Sequence, residues 1–126
     1  MTAVLDASAL LVVLHGEPGT AVVEPLLDGA QVSAVNWSEV VQKAAARGVD
    51  VGGLRDDVEA LGVRVAIFDA DAAEATAELW AATRDSGRSL GDRACLALAR
   101  ALGMTAVTAD AAWADVDVGV TVQLVR

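Results

Sequence analysis

The sequence predicts an α/β fold, a three-layer α/β/α sandwich around a five-stranded parallel sheet, and three observations carry that reading. Short apolar runs alternate along the chain with longer stretches of helical periodicity. No hairpin turn separates successive runs, so the strands need crossover connections and pair in parallel. The chain is rich enough to fill a core between layers: 55% of its 126 residues are apolar and the mean hydropathy is +0.48. Right-handed crossovers then set helices on both faces of the sheet.

The elements follow in order. Thr2 to Leu5 is a short apolar run ending in Asp6. Ala7 to His15 is too densely apolar for a surface strand, and Gly16-Glu17-Pro18-Gly19 closes it as a turn. Residues 20 to 28 form a short helix stopped by Gly29, and Gln31 to Val35 is the second strand. A helix runs from the Asn36-Trp37-Ser38-Glu39 segment to Arg47-Gly48, and another covers residues 51 to 61. Val63 to Phe68 alternates as a third strand. Asp71 to Ser86 reads as one long Ala/Glu helix, and Ser89 to Leu102 as another, with Leu90, Ala94, Leu98 and Ala101 at helical spacing. Met104 to Thr108 and Val120 to Val125 are the last strands, with a short helical turn at Ala111 to Trp113 between them.

Length and composition narrow the classes further. One domain, 1–126, with one substantial core is expected. A single Cys and a single His leave no disulfide framework, Cys-rich zinc site or His-based triad. No apolar run approaches the ~18–20 residues needed to span a bilayer. The first basic residue is Lys43, so no secretory leader is expected and the cytoplasm is the expected location. Eighteen carboxylates against nine Lys and Arg give a formal charge of −9. Passive adhesion to nucleic acid or anionic lipid is therefore disfavoured, and a polyanionic partner needs a local, cation-assisted site.

In open α/β sheets, ligands bind outside the carboxyl ends of the strands. Four carboxylates fall there. Asp6 ends the first strand, Glu39 follows the second in the first turn of its helix, Asp92 opens the helix before the fourth strand, and Asp110 ends that strand. Ser8, Ser89 and Thr108 accompany them. Like charges about 4 Å apart repel by about 4 kcal/mol at an effective dielectric of about 20, so such a cluster calls for protonation or a cation. Oxygen-only donors suit Mg²⁺ or Mn²⁺. The plainer reading is capping: Asn36-Trp37-Ser38-Glu39 has the form of a capping box, Ser89-Leu90-Gly91-Asp92 nearly so, and Asp110 suits an N-cap. Asp6 begins no obvious cap motif unless Ser8 does that work.

Four blocks in order, Val4 to Leu10 (VLDASAL), Ser33 to Val40 (SAVNWSEV), Ser89 to Ala99 (SLGDRACLALA) and Thr105 to Asp110 (TAVTAD) with Trp113, resemble the PIN-domain family. More narrowly they are similar to the VapC-type toxins of bacterial toxin–antitoxin pairs. The resemblance implies strand order 3-2-1-4-5 and a Mg²⁺- or Mn²⁺-dependent endoribonuclease, a hydrolase acting on RNA. Asp6, Glu39, Asp92 and Asp110 would be its acidic quartet, with Asp6 and Asp92 the firmest metal ligands. Ser8 and Thr108 would orient carboxylates or waters. Asp115 sits where some members carry a further acid, and is equally a solvated loop residue. A cognate antitoxin protein and a second copy of the chain are the implied partners, expected to cover apolar surface of residues 20 to 61.

Arg84, Arg88 and Arg93 cluster near the proposed mouth and are candidates to hold an RNA backbone, Arg93 above all. A solvated position around a helix end is the plainer reading of Arg84 and Arg88. His15, near a turn at the end of the first helix, reads as structural or surface, and Cys95 as a small buried hydrophobe. Trp37 and Trp113 should pack beneath the site, and Trp80 is core or an interaction surface. A phosphoacceptor receiver domain would need a second acid beside Asp6 and a Lys near the fifth strand, whereas the single Lys is Lys43. A haloacid-dehalogenase-type phosphatase would need Asp-x-Asp where Asp6-Ala7-Ser8 stands. A binding module of the same fold, without chemistry, is the other alternative.

Overall fold

The computed structural model describes residues 2–126 and holds five parallel strands: β1 (Ala3–Leu5), β2 (Gln31–Ser33), β3 (Arg64–Ala66), β4 (Thr105–Thr108) and β5 (Val122–Leu124). They are ordered β3-β2-β1-β4-β5, as the resemblance implied. The register sets Leu5 beside Val107 and Val4 beside Gln31, so the carboxyl ends of the central strands form one edge. The helices are α1 (Ala7–Leu14), α2 (Thr20–Val23), α3 (Ala34–Ala46), α4 (Leu54–Ala60), α5 (Ala70–Glu78), α6 (Trp80–Thr83) and α7 (Leu90–Leu102). Short 3-10 turns cover Glu24–Leu26, Arg84–Ser86 and Ala111–Asp115.

Strand side chains alternate between faces, and here both faces are buried. Ala3 and Leu5 of β1 and Val107 of β4 enter one apolar cluster with Leu10, Val12, Val40 and Val58, from α1, α3 and α4. Val4 and Ala106 enter the other with Leu79, Cys95, Leu96 and Trp113. Cys95 and Trp113 are fully buried, while Trp37 is half-buried against the first cluster and Trp80 is 52% exposed.

Several boundaries differ from expectation, each for a local reason. The strand expected to reach Val35 stops at Ser33, whose hydroxyl accepts from Val35 N at 3.3 Å and caps α3. Glu39 is therefore in the second turn of α3, and its segment is no capping box. The helix expected from residue 51 starts at Leu54, because Gly53 holds a left-handed φ of 82° that ends the preceding turn. The expected long helix over 71–86 divides into α5, α6 and a 3-10 turn. Thr76 and Thr83 donate back to Ala72 O and Leu79 O at 2.7 Å each, a contact that bends helices, while Leu79 is anchored in the core.

Exposed large apolar side chains include Val22, Val49 and Leu61, within the expected region. The most exposed, Ile67, and Trp80, Leu90 and Leu102 lie beyond it. Among the described residues no helix is long and apolar enough to cross a membrane.

Helix α7 is buried on most of its circumference, with Ala94, Cys95, Leu96 and Ala97 all buried, whereas Leu90 at its start is exposed. Leu96→Ala, which empties a fully buried position, should cost about 3 kcal/mol. Leu90→Ala, at the exposed start of the same helix, should cost under about 0.5 kcal/mol in the same urea titration. Equal costs would contradict this placement.

Candidate functional site

The site is assembled by the β1–β4 pairing. Asp6 N donates to Val107 O at 3.1 Å, continuing the ladder one residue past β1 and fixing where the carboxylate emerges. The side chain then turns back onto α1 as its N-cap. Oδ1 accepts from Ala9 N at 2.8 Å and from Ser8 Oγ at 2.7 Å, and Oδ2 accepts from Thr108 Oγ1 at 2.6 Å. The carboxylate is thus itself a cap, contrary to the sequence reading, and Ser8 instead steadies it. Ser8 Oγ accepts from Ala109 N at 2.9 Å, and Thr108 Oγ1 from Asp110 N at 3.0 Å. Both hydroxyl protons point at Asp6, and both hydroxyl oxygens hold the β4 exit that carries Asp110.

Asp6 is only 5% exposed. Burial pushes its carboxyl above the ordinary range, and the charge of Asp92 adds to that. The bonds from Thr108, Ser8 and Ala9 pull the other way. Beneath the site, burial raises the Cys95 thiol well above its usual value, with Asp6, Asp92 and Glu39 all contributing, so it stays protonated and inert.

Glu39 enters from α3. Its Oε1 accepts from Asn36 Nδ2 at 3.1 Å, and the same nitrogen donates to Gly91 O at 3.0 Å. Two acceptors face that end of the amide, so it must be the NH₂ end. The close approach of α3 to α7 depends on Gly91, since a Cβ there would collide with Glu39 Oε1. Asn36 is 1% exposed and its Oδ1 is buried without a partner. The sequence reading passed over Asn36 as part of a cap motif; its spacing of three from Glu39 was the available signal.

Asp92 and Ser89 form the anticipated capping box, with Ser89 N donating to Asp92 Oδ2 and Asp92 N to Ser89 Oγ, both at 3.1 Å. Asp110 caps the 3-10 turn by accepting from Ala112 N at 3.0 Å. Between the two lies Arg88, whose Nη1 is 3.3 Å from Asp110 Oδ2 and 3.6 Å from Asp92 Oδ2. Its Nε and Nη2 donate to Ser86 O. With a side chain 9% exposed, Arg88 is no solvated helix-end residue but a tucked-in counter-ion.

Asp6, Glu39, Asp92 and Asp110 border one cavity of about 150 Å³, together with Ser8, Asn36 and Lys43. Arg93, Arg84 and Asp115 do not line it. Arg84 stacks on Trp80, 5.4 Å from the ring centre, and Arg93 is half-buried. Among the described residues no three His, Cys, Asp or Glu side chains converge as a ready-made ion cage. Mg²⁺ does not need one, since it keeps several waters and takes one or two carboxylates. The carboxylate oxygens, the orphaned Asn36 Oδ1 and an open cavity larger than a single water fit such a hydrated ion.

The PIN domain family model matches residues 3–119. No curated protein sequence matches. Among solved structures, a toxin–antitoxin complex from Klebsiella pneumoniae is 18% identical with a TM-score of 0.75, covering 99% of this chain and 98% of that one. FitAcB from Neisseria gonorrhoeae is 22% identical with a TM-score of 0.74, covering 98% of each chain. Mycobacterium tuberculosis VapC20, described as a sarcin-ricin loop cleaving toxin, is 17% identical with a TM-score of 0.67, covering 86% and 88%.

Two measurements probe the electrostatics. Because Asp6 is raised, the folded chain binds more protons than the unfolded one between the ordinary carboxylate value and the raised one, so stability falls as pH rises through that window. In chelator at pH 7, Asp6→Asn, which keeps a cap, should unfold at higher urea than the wild type. The gap should close by about pH 3, below the ordinary value. Arg88→Ala should lose about 1 kcal/mol in chelator, a modest figure because Asp110 is half exposed. An unchanged urea midpoint would mean that Arg88 neutralises nothing.

Proposed function

This chain belongs to the PIN domain family, and on that premise we propose that it is a Mg²⁺- or Mn²⁺-dependent endoribonuclease, the toxin of a toxin–antitoxin pair acting in the cytoplasm as a single domain, 1–126. The observation that carries the reading is the meeting of Asp6, Glu39, Asp92 and Asp110 around one cavity at the carboxyl edge of the sheet. The similar solved structures support the biological setting: a toxin–antitoxin complex and a toxin described as cleaving the sarcin-ricin loop. A cognate antitoxin and a second copy of the chain are the proposed protein partners, with Ile67, Trp80 and Leu90 supplying exposed apolar surface.

The division of labour follows from burial. Asp6 is held rigid by its three hydrogen bonds and is the fixed ligand. Asp92, partly exposed on its cap, and Glu39, held by Asn36, complete the acidic wall. Asp110, the more exposed of the two acids paired with Arg88, sits at the rim to orient water. Ser8 and Thr108 donate to Asp6 and so favour its ionised form against the effect of burial. A divalent ion, when bound, lowers the pKa of water and neutralises charge on the attacking and leaving oxygens. The site needs no attack by the ribose 2′-hydroxyl, so the products carry 5′-phosphate and 3′-hydroxyl ends.

A structured RNA pool incubated with the purified chain should be cut in Mg²⁺ or Mn²⁺ and left intact in chelator. Asp6→Asn should cut at least about 100-fold more slowly, the loss of several kcal/mol of transition-state stabilisation. Mn²⁺ binding followed by calorimetry should weaken in the same variant. Equal Mn²⁺ affinity in both proteins, together with no cutting by either, would leave a binding module in place of an enzyme.

A further inference from the structure

Beside the acid cavity lies a second depression of about 410 Å³, lined by His15, Glu17, Lys43, Arg47 and Arg126 among others. The two share Ser8 and Lys43 as a common lip. In a chain of charge −9, this groove gathers three of the nine Lys and Arg residues and the single His. The change of sign is written on one helix. Asn36, Glu39, Lys43 and Arg47 fall at spacings of three, four and four residues, one stripe along α3 that ends on its C-cap, Arg47. The stripe runs from the acidic cavity through Lys43 to Arg47 in the groove.

The groove cations are held but not neutralised. Arg47 Nη1 lies 2.7 Å from His15 Nδ1, where the guanidinium donates and the ring nitrogen accepts. Arg47 and Arg126 share Glu17 at 3.6 and 3.7 Å, long exposed contacts that leave one carboxylate against two guanidiniums. Arg126 Nη1 also donates to Pro18 O. Lys43 has no salt bridge among the described residues. Elsewhere the cations nearest in sequence to Asp92 are committed, Arg88 to two carboxylates and Arg84 to the Trp80 ring.

We infer that this groove is the track for the phosphates flanking the cleaved bond, with Lys43 taking the phosphate next to the acid cavity and Arg47 its neighbour. The inference rests on the nuclease reading above and supplies what that reading lacks. A phosphodiester entering a carboxylate-walled cavity must leave over a surface that attracts its remaining charges. Lys43 and Arg47 stand about 6 Å apart along the helix axis, a step of the order of that between adjacent phosphates in an extended strand. Contacts of this kind position the strand without reading its bases.

The test uses an end-labelled single-stranded RNA dodecamer of mixed sequence, titrated against Asp6→Asn protein so that it is not cut. Adding Lys43→Gln and Arg47→Gln should weaken binding about tenfold and flatten the slope of log affinity against log salt by about 1.4, two contacts at about 0.7 each. Arg55→Gln, remote from the groove and paired with Glu59, is the control and should change neither. In cleavage by otherwise wild-type protein, Arg47→Gln should raise KM with little change in kcat, and Mn²⁺ affinity should hold. Unchanged RNA affinity and slope overturn the track while leaving cleavage, and so the nuclease reading, standing. Wild-type protein that cuts nothing but whose RNA binding still collapses in the double variant keeps the track and overturns the nuclease. An acidic peptide that loses affinity in the double variant while RNA does not overturns the track in favour of a protein partner.

Discussion

The molecule is organised around the burial of one carboxylate. Asp6 is taken out of water where β1 ends, and three hydrogen bonds offset part of what that burial costs. Those donors come from two places far apart in sequence, the first turn of α1 and the end of β4, so the arrangement exists only when β1 and β4 pair in parallel with Leu5 beside Val107. Slipping that register by one residue would turn Thr108 to the other face and leave an Asp6 oxygen unpaired in the core. Core packing and site geometry are therefore specified by the same pairing.

Around that fixed point the charges are distributed unevenly. Arg88 occupies the gap between Asp92 and Asp110, so the acidic wall carries its own partial neutralisation. Glu39 is held by an amide rather than a cation. Lys43 closes the remaining side and begins a basic strip that the net charge of the chain would not suggest. A strongly acidic protein can thus present a local surface matched to a polyanion, because electrostatics at contact range depends on the nearest few groups more than on the total.

The alternation of strands and helices was legible because each apolar run keeps one period and ends at a turn residue. The four acids were legible because strand ends can be located without knowing strand order. Other features depend on contacts between distant segments. Asn36 gains its role only because Gly91, 55 residues away, lets α7 come close. Arg88 reads as a solvated helix-end residue until Asp110 is folded beside it. The break near Leu79 has no signature in the sequence because an Ala/Glu pattern is helical throughout, and only threonine hydroxyls bonding backward and a buried leucine divide it. The groove on α3 was hidden for a different reason: Lys43 and Arg47 are visible at helical spacing, but Arg126 and His15 join them only in three dimensions.

Three of the four acids also begin helical segments: Asp6 caps α1, Asp92 completes a capping box on α7, and Asp110 caps a 3-10 turn. Losing any of these caps by substitution with alanine destabilises the chain by about 1 kcal/mol whether or not the chain performs any chemistry. A descendant released from selection for activity would therefore tend to keep a capping side chain at these positions, Asp or the Asn or Ser that cap as well, since folding alone protects the cap. Glu39 caps nothing, and no helix end depends on it. Among diverging copies of this fold, the glutamate on α3 is the acid whose retention or loss records the history of the activity itself.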